Sequence, residues 1–282
     1  MIRIFTDSAS DLPKCTLEKY GITVLPLFIC LGDDSYKDGI EITPREIYRW
    51  ASENKTTPKT AAISLDETIN AMQKVIDDGD EMIIFSLPAS MSSTNNVMHL
   101  AAEEIEGEDK ISIIDSENLS AGIGLLAIEA SVMAKNGMTR KEIVKKINEM
   151  LPKIRTTAVA DTLLYLHRGG RCSSIATLAG GILKIHPKLE VVDSVLGPTK
   201  KYRGSMPAVV NNYLNDLKEN LLNADPSRIV IAHSGTTAEI LTTMEEYVRG
   251  LNYFKEIILT RVGGIISSHL GPGTVGIFYK EK

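Results

Sequence analysis

The first half of the chain alternates short apolar runs that end in small polar residues with stretches of helical apolar spacing. IRIFTD runs into Asp7, Ser8 and Ser10, EMIIFSL into SLPASMSST, and KISIID into DSENLS. Apolar runs of this length read as strands buried on both faces. Between them the spacing predicts a helix opened by Thr43-Pro44, one from about Ser92 to Ile105, and a long apolar one over Leu119 to Lys135. Thr at the cap and Pro in the first turn suit a helix start, and Thr139 with Glu142 forms a capping box for the next helix. Strands alternating with helices give a mostly parallel sheet flanked by helices, an α/β fold. The polar strand ends then gather along the carboxyl edge of the sheet, where ligands bind.

ITVLPLFICL reads as a further strand with a break or bulge at Pro26. Past Leu151-Pro152 the order changes, so we expect one domain over 1–153 and a smaller mixed α/β domain over 154–282. There TTAVAD and LEVVDSV are predicted strands, with Gly169-Gly170-Arg171 interrupting a short helical region between them. A helix follows over Ser205 to Leu222, RIVIAHSG is a strand, the next helix covers Thr236 to Arg249, and GTVGIFYK closes as a strand. No repeat or long linker separates the halves, which points to a cleft between them as the binding site.

Composition removes several classes of function. The net charge is −5, without the concentration of Lys and Arg that nucleic acid needs; Lys200, Lys201 and Arg203 make only a small basic group. The start, MIRIFTDS, places Arg3 and Asp7 where a secretory segment needs unbroken apolar sequence. The early apolar run is about half of a bilayer span, so no stable membrane insertion is expected. Cys15, Cys30 and Cys172 are widely spaced with no CxxC pair, which argues for reduced thiols and a cytoplasmic setting. There is no GxGxxG fingerprint, no GxxxxGK[ST] loop and no HExxH, so neither a nucleotide cofactor nor a metal is expected. Ser92 lies in ASMSST and not in a GxSxG elbow, which disfavours a serine hydrolase; no residue is assigned a catalytic role.

Three places carry polar groups fit for an anion. Ser92 or Ser93, at a helix start, offers hydroxyl and backbone N–H donors; plain capping is the alternative. Gly169-Gly170-Arg171 allows a tight turn that presents a planar guanidinium, or a solvated surface turn. Ser267-Ser268-His269-Leu270-Gly271-Pro272-Gly273 sets a histidine beside a stiff turn. His99 and His167 fall on predicted helices, His186 precedes a proline, and His233 at a strand end is ambiguous.

Taken together, TDSASDLP, VLPLFICLGDDSYKDGIEIT, TPKTAAIS, SLPASMSST, IIDSENLSAGIG, LLYLHRGGRCSS, GILKIHPKLEVVDSVLGPTKKYRG and SHLGPGTVG resemble, in order, the DegV family of bacterial fatty-acid-binding proteins. The resemblance implies a two-domain fold with one long-chain fatty acid between the domains. It assigns the carboxylate to Thr60, Ser92 and His269, with Arg171 and Arg203 as basic or partner-facing groups and Ser93, Gly271 and Gly273 in support. Two departures stand out: the family's Thr-Ser-Gln-Pro is Thr60-Ala61-Ala62-Ile63 here, and its Ser-Gly-Thr is Ser92-Ser93-Thr94.

The resemblance further implies that the chain is a binding subunit, presenting the fatty acid to a separate kinase that makes an acyl phosphate for phospholipid metabolism. Burial of roughly 0.8 kcal/mol per methylene makes the tail the main source of affinity, while a desolvated carboxylate needs charge-assisted bonds from His269 or an Arg. A carrier or sensor without kinase presentation, and an independent enzyme on a small anionic substrate, are the alternatives.

Overall fold

The computed structural model describes residues 1–172 and 185–282. Its first half carries β1 (Ile2–Asp7), α1 (Lys14–Tyr20), β2 (Ile22–Leu25), β3 (Phe28–Leu31), β4 (Asp34–Lys37), α2 (Pro44–Asn54) and β5 (Lys59–Ala61). There follow α3 (Leu65–Asp77), β6 (Glu81–Ser86), α4 (Thr94–Glu104), β7 (Ile111–Asp115), α5 (Ala121–Lys135) and α6 (Arg140–Met150). The second half begins with β8 (Ile154–Val159), α7 (Leu164–Gly169), β9 (Ile185–Val192), β10 (Val195–Arg203) and α8 (Met206–Asn223). It ends with β11 (Ala224–His233), α9 (Ala238–Gly250), β12 (Glu256–Arg261), α10 (Gly264–Leu270) and β13 (Val275–Glu281).

Strands β2, β1, β6 and β7 lie side by side in that order, all parallel. Alternate side chains of a strand face opposite ways. Phe5, Met82 and Ile84 therefore pack with Met72 of α3 and Met98 of α4, while Ile4, Ile83 and Phe85 join the core that contains α5. Helix α5 is buried almost all round, as expected of a helix apolar on every side. It touches β1 and β6 on one side and β8 and β13 on the other. The second sheet, ordered β10-β9-β8-β13-β11-β12, is antiparallel except for the β11–β12 pair. Its outer face is closed by Tyr213 and Leu217 of α8 and Met244 of α9 against Ile229, Ile231 and Ile277. All four strands of the parallel sheet thus precede residue 154 and all six of the mixed sheet follow residue 153.

Two expected strands are each two strands. ITVLPLFICL divides at Pro26-Leu27: β2 pairs with β1, whereas β3 leaves for a small antiparallel sheet of order β4-β3-β5. Proline withholds the ladder N–H, so the chain changes sheet instead of bulging. LEVVDSV turns back on itself, because Asp193 (φ 49°) and Ser194 (φ 60°) form a two-residue turn between β9 and β10. Positive φ at both central residues matches the twist of a hairpin. The predicted capping box of Thr139 with Glu142 is formed, and Thr43, expected as a cap, makes a second one with Glu46. The continuation of the helical region beyond Cys172, including Ser173-Ser174 and the Gly181–Lys184 part of GILKIH, lies outside the described residues. Among the described residues no helix is long and apolar enough to cross a membrane.

Candidate functional site

A cavity of about 280 Å³ sits where the carboxyl ends of the parallel strands meet α10. Leu87 follows β6 and Leu119 precedes α5, so both come from the strand-end loops; Leu27 enters from the sheet change after Pro26. Ile265, Ile266 and Leu270 of α10 form the facing wall, and Leu166 and Leu196 close the sides. The polar groups are Thr60, Ser92, Ser93, Arg171 and His269. An apolar wall with a few converging polar groups is the usual make-up of a small-molecule site. A second hollow of about 360 Å³ shares Met91, Arg171 and Leu196 with it and adds Ser90 and Ser194.

Thr60 is held by strand pairing: β5 lies against β3 with Thr60 opposite the fully buried Ile29. Its Oγ1 is 3.0 Å from Nε2 of His269, in the last turn of α10. The other ring nitrogen, Nδ1, is shut off from solvent and has no hydrogen-bond partner among the described residues. Burial pushes this imidazole down to about 4, helped by the nearby Arg171 guanidinium. The ring is therefore neutral at pH 7, with one donor and one acceptor nitrogen. Of the two sources of charge-assisted bonds expected, His269 or an Arg, His269 is a neutral hydrogen-bonding group here and Arg171 is the cation that lines the cavity.

The glycine pair has a definite purpose. A Cβ on Gly169 would come within 2.6 Å of His269 Nδ1, so only glycine lets the ring lie where it does. The Gly169 carbonyl also accepts from Arg171 Nη1 at 2.9 Å, which draws the guanidinium over the same turn. Ser92 does both things open to it. Its Oγ accepts from the Thr94 N–H at 3.2 Å at the start of α4 and lies 2.9 Å from Thr94 Oγ1, yet it also lines the cavity. Ser93 occupies the cap position without a side-chain cap bond, which leaves its exposed hydroxyl available.

The remaining expected residues fall outside the cavity wall. Arg203 is exposed at the end of β10 and does not line the cavity, so it is not placed to neutralise a carboxylate there. Gly271 and Gly273 shape the turn that ends α10: Gly271 has φ 71° and its carbonyl accepts from Ser234 Oγ at 2.5 Å. His99 and His167 are exposed on α4 and α7, while His186 is buried with Nδ1 3.3 Å from the Ala160 carbonyl. His233 Nδ1 accepts from the Gly235 N–H. Among the described residues no cluster of side chains is arranged to hold a metal.

Sequence reasoning passed over Leu27, Leu166 and Leu196, which carry no signal apart from being apolar, and three buried carboxyls: Asp7, Asp11 and Asp38. Burial pushes Asp7 up to about 7 and raises Asp11 and Asp38 as well. Their signal was present, since Asp7 and Asp11 stand in the first polar strand end; but a strand-end Asp reads equally well as a turn residue.

A family model described as "Uncharacterised protein, DegV family" matches residues 1–282. A DegV domain-containing protein of Caldanaerobacter subterraneus subsp. tengcongensis is 33% identical over 282 residues, with 100% of this chain and 99% of that protein covered. The crystal structure of DegV from Bacillus subtilis, described as a fatty acid binding protein, matches with a TM-score of 0.86 at 27% identity, over 100% of this chain and 99% of that one. A stearic acid-binding protein from Eubacterium ventriosum matches with a TM-score of 0.88 at 25% identity and the same coverage. The full-length family match, the identity to a relative along both chains and the shared fold lead to one conclusion: this chain belongs to the DegV family.

Proposed function

We propose that the chain binds one long-chain fatty acid, tail in the apolar cavity and carboxylate at the polar group made by Thr60, Ser92, His269 and Arg171. The observation that carries this reading is the Thr60–His269 pair in the wall of a largely apolar cavity. A tail of about sixteen carbons offers on the order of 10 kcal/mol gross at roughly 0.8 kcal/mol per methylene. The carboxylate, once out of bulk water, needs donors; the Thr60 hydroxyl, freed to donate onward by the neutral imidazole behind it, the Ser92 hydroxyl and the Arg171 guanidinium can supply them. The fatty acids bound by the Bacillus subtilis and Eubacterium ventriosum proteins support the ligand class. In this reading residues 1–153 and 154–282 act as two domains, and α10 of the second closes the site of the first.

Presentation to a separate kinase is the further step we propose. It is supported by the position of the polar group beside exposed Arg171 and the adjoining open hollow, which keeps the carboxylate near the surface. The chain itself is then a binding subunit, with the phosphoryl donor and metal on the partner. Titration of the delipidated protein with saturated fatty acids of increasing length tests the first step, with saturation at one ligand per chain expected. Absence of uptake at every length overturns it. Acyl phosphate formed from the loaded protein by a partner kinase and ATP tests the second; retained lipid without acyl phosphate favours a carrier or sensor.

A further inference from the structure

Helix α10, seven residues long, is too short to hold its own direction by backbone bonds alone. Its course is set by what its ends are tied to. Three successive backbone N–H groups at its start point at carboxylates that come from the other half of the chain. Gly263 N–H donates to Asp11 Oδ1 at 2.6 Å, Gly264 N–H to Asp38 Oδ1 at 2.7 Å, and Ile265 N–H to Asp38 Oδ2 at 3.4 Å. Helix starts leave such donors without intrahelical partners, and here buried carboxylates take them.

Neither carboxylate is free to move. Ser8 Oγ donates to Asp38 Oδ2 at 2.8 Å and itself accepts from the Leu27 N–H at 3.2 Å, while the Asp38 N–H donates to the Leu27 carbonyl at 2.9 Å. Ser120 Oγ donates to Asp11 Oδ2 at 2.5 Å. Asp38 is 3% exposed and Asp11 6%, so water does not compete for these bonds. Leu27, held by the same loop, lines the cavity, and so do Ile265, Ile266, His269 and Leu270 of α10. The other end of the helix is tied by Ser234 to the Gly271 carbonyl.

We propose that Asp38, seconded by Asp11, is a positioning residue for the head-group site: it anchors the start of α10 and thereby sets His269 against Thr60, without touching the ligand. The proposal rests on the fatty-acid reading above. An amide at position 38 keeps the shape but replaces one of two acceptors by a donor that faces backbone N–H groups, so α10 shifts at its root. The tail wall stays apolar through such a shift, whereas the hydrogen-bond geometry of His269 does not.

The test is Asp38→Asn in the full chain, with binding of palmitic acid compared with binding of hexadecanol. These share a tail and differ at the head. The expected result is a drop of about tenfold in the preference for the acid over the alcohol, with alcohol affinity changed by no more than about twofold, together with a change in the ¹⁵N signals of the His269 ring. Equal weakening of both ligands, or an unchanged preference, overturns the proposal. If Asp38→Asn does not fold, Ser8→Ala, which removes the hydroxyl that donates to Asp38 and accepts from the Leu27 N–H, is read by the same acid-over-alcohol preference with a smaller drop expected; an unchanged preference there overturns the proposal. A wild-type protein that binds neither compound, or shows no preference for the acid, overturns the fatty-acid reading and this proposal with it. That outcome is told from failure of the proposal alone by the wild-type measurement.

Discussion

Thr60 Oγ1 and His269 Nε2 meet at 3.0 Å across 209 residues of chain. The threonine comes from a three-residue strand at the edge of a small sheet and the histidine from a short helix of the other half. A neutral imidazole can donate to the threonine oxygen while the threonine hydroxyl donates onward. This gives the cavity wall a polar group that costs no buried charge. Thr60→Val, nearly isosteric, is expected to weaken fatty acid binding by about 1–2 kcal/mol and, by leaving the His269 ring without its partner, to lower stability by about 1–3 kcal/mol. Titration calorimetry on the delipidated variant measures it, and an unchanged affinity would place the carboxylate elsewhere.

Gly169→Ala tests the packing of the histidine ring. Gly169 has no left-handed backbone to maintain, so the added methyl acts only through its approach to His269 Nδ1. Overlap of this size in a packed site costs roughly 1–3 kcal/mol, and the ring is expected to swing away from Thr60. Fatty acid affinity should fall while the far-ultraviolet circular dichroism stays that of wild type. Full affinity in this variant would show that the ring position does not matter for binding.

The pH dependence follows from the sign of the histidine shift. In the folded protein the His269 imidazole titrates at about 4 instead of 6.5. Between those values the unfolded chain binds the proton more readily, so this group makes stability rise with pH over that window. Asp7, raised to about 7 by burial, works the other way: its contribution is lost as pH rises from the ordinary carboxyl range through about 7. Comparing wild type with His269→Gln at each pH removes the aspartate contribution. Urea unfolding is expected to show wild type losing about 2–3 kcal/mol relative to the variant between pH 6.5 and 4. Parallel curves for the two proteins contradict a lowered histidine.

The apolar wall of the cavity can be cut back from the strand-end loop. Leu119 is 7% exposed and lines the cavity. Leu119→Ala is expected to cost about 2–5 kcal/mol of stability and to move the preference toward longer or branched acyl chains. Competition between fatty acids of different length, read by mass spectrometry of the bound fraction, measures the change. An unaltered length profile would mean that Leu119 does not bound the tail.

The parallel sheet was legible because its inner strands, IRIFTD and EMIIFS, are short and mainly apolar and each ends in polar residues, the pattern of strands buried on both faces. The small sheet was not. Its strand β5, Lys59–Ala61, is too short for any periodicity, and β3 was hidden in a run that Pro26 divides. Thr60 therefore came from the family resemblance and not from local pattern. Helix α3 has its cap at Ser64 and buried Met72 and Val75 at helical spacing, a pattern readable in principle that was passed over. Ser92, Arg171 and His269 drew notice because each sits beside a turn or cap. What sequence could not give was Asp38: an aspartate in an exposed-looking acidic segment, whose partners on α10 lie more than two hundred residues away.

The most direct test of the central claim is mass spectrometry of the purified protein under native conditions, before and after organic extraction. One bound mass in the long-chain fatty acid range, lost on extraction and regained when fatty acid is added back, is the predicted result. A protein that is empty as purified and takes up no added fatty acid contradicts it, and would turn attention to a small polar anion held between Ser92 and His269.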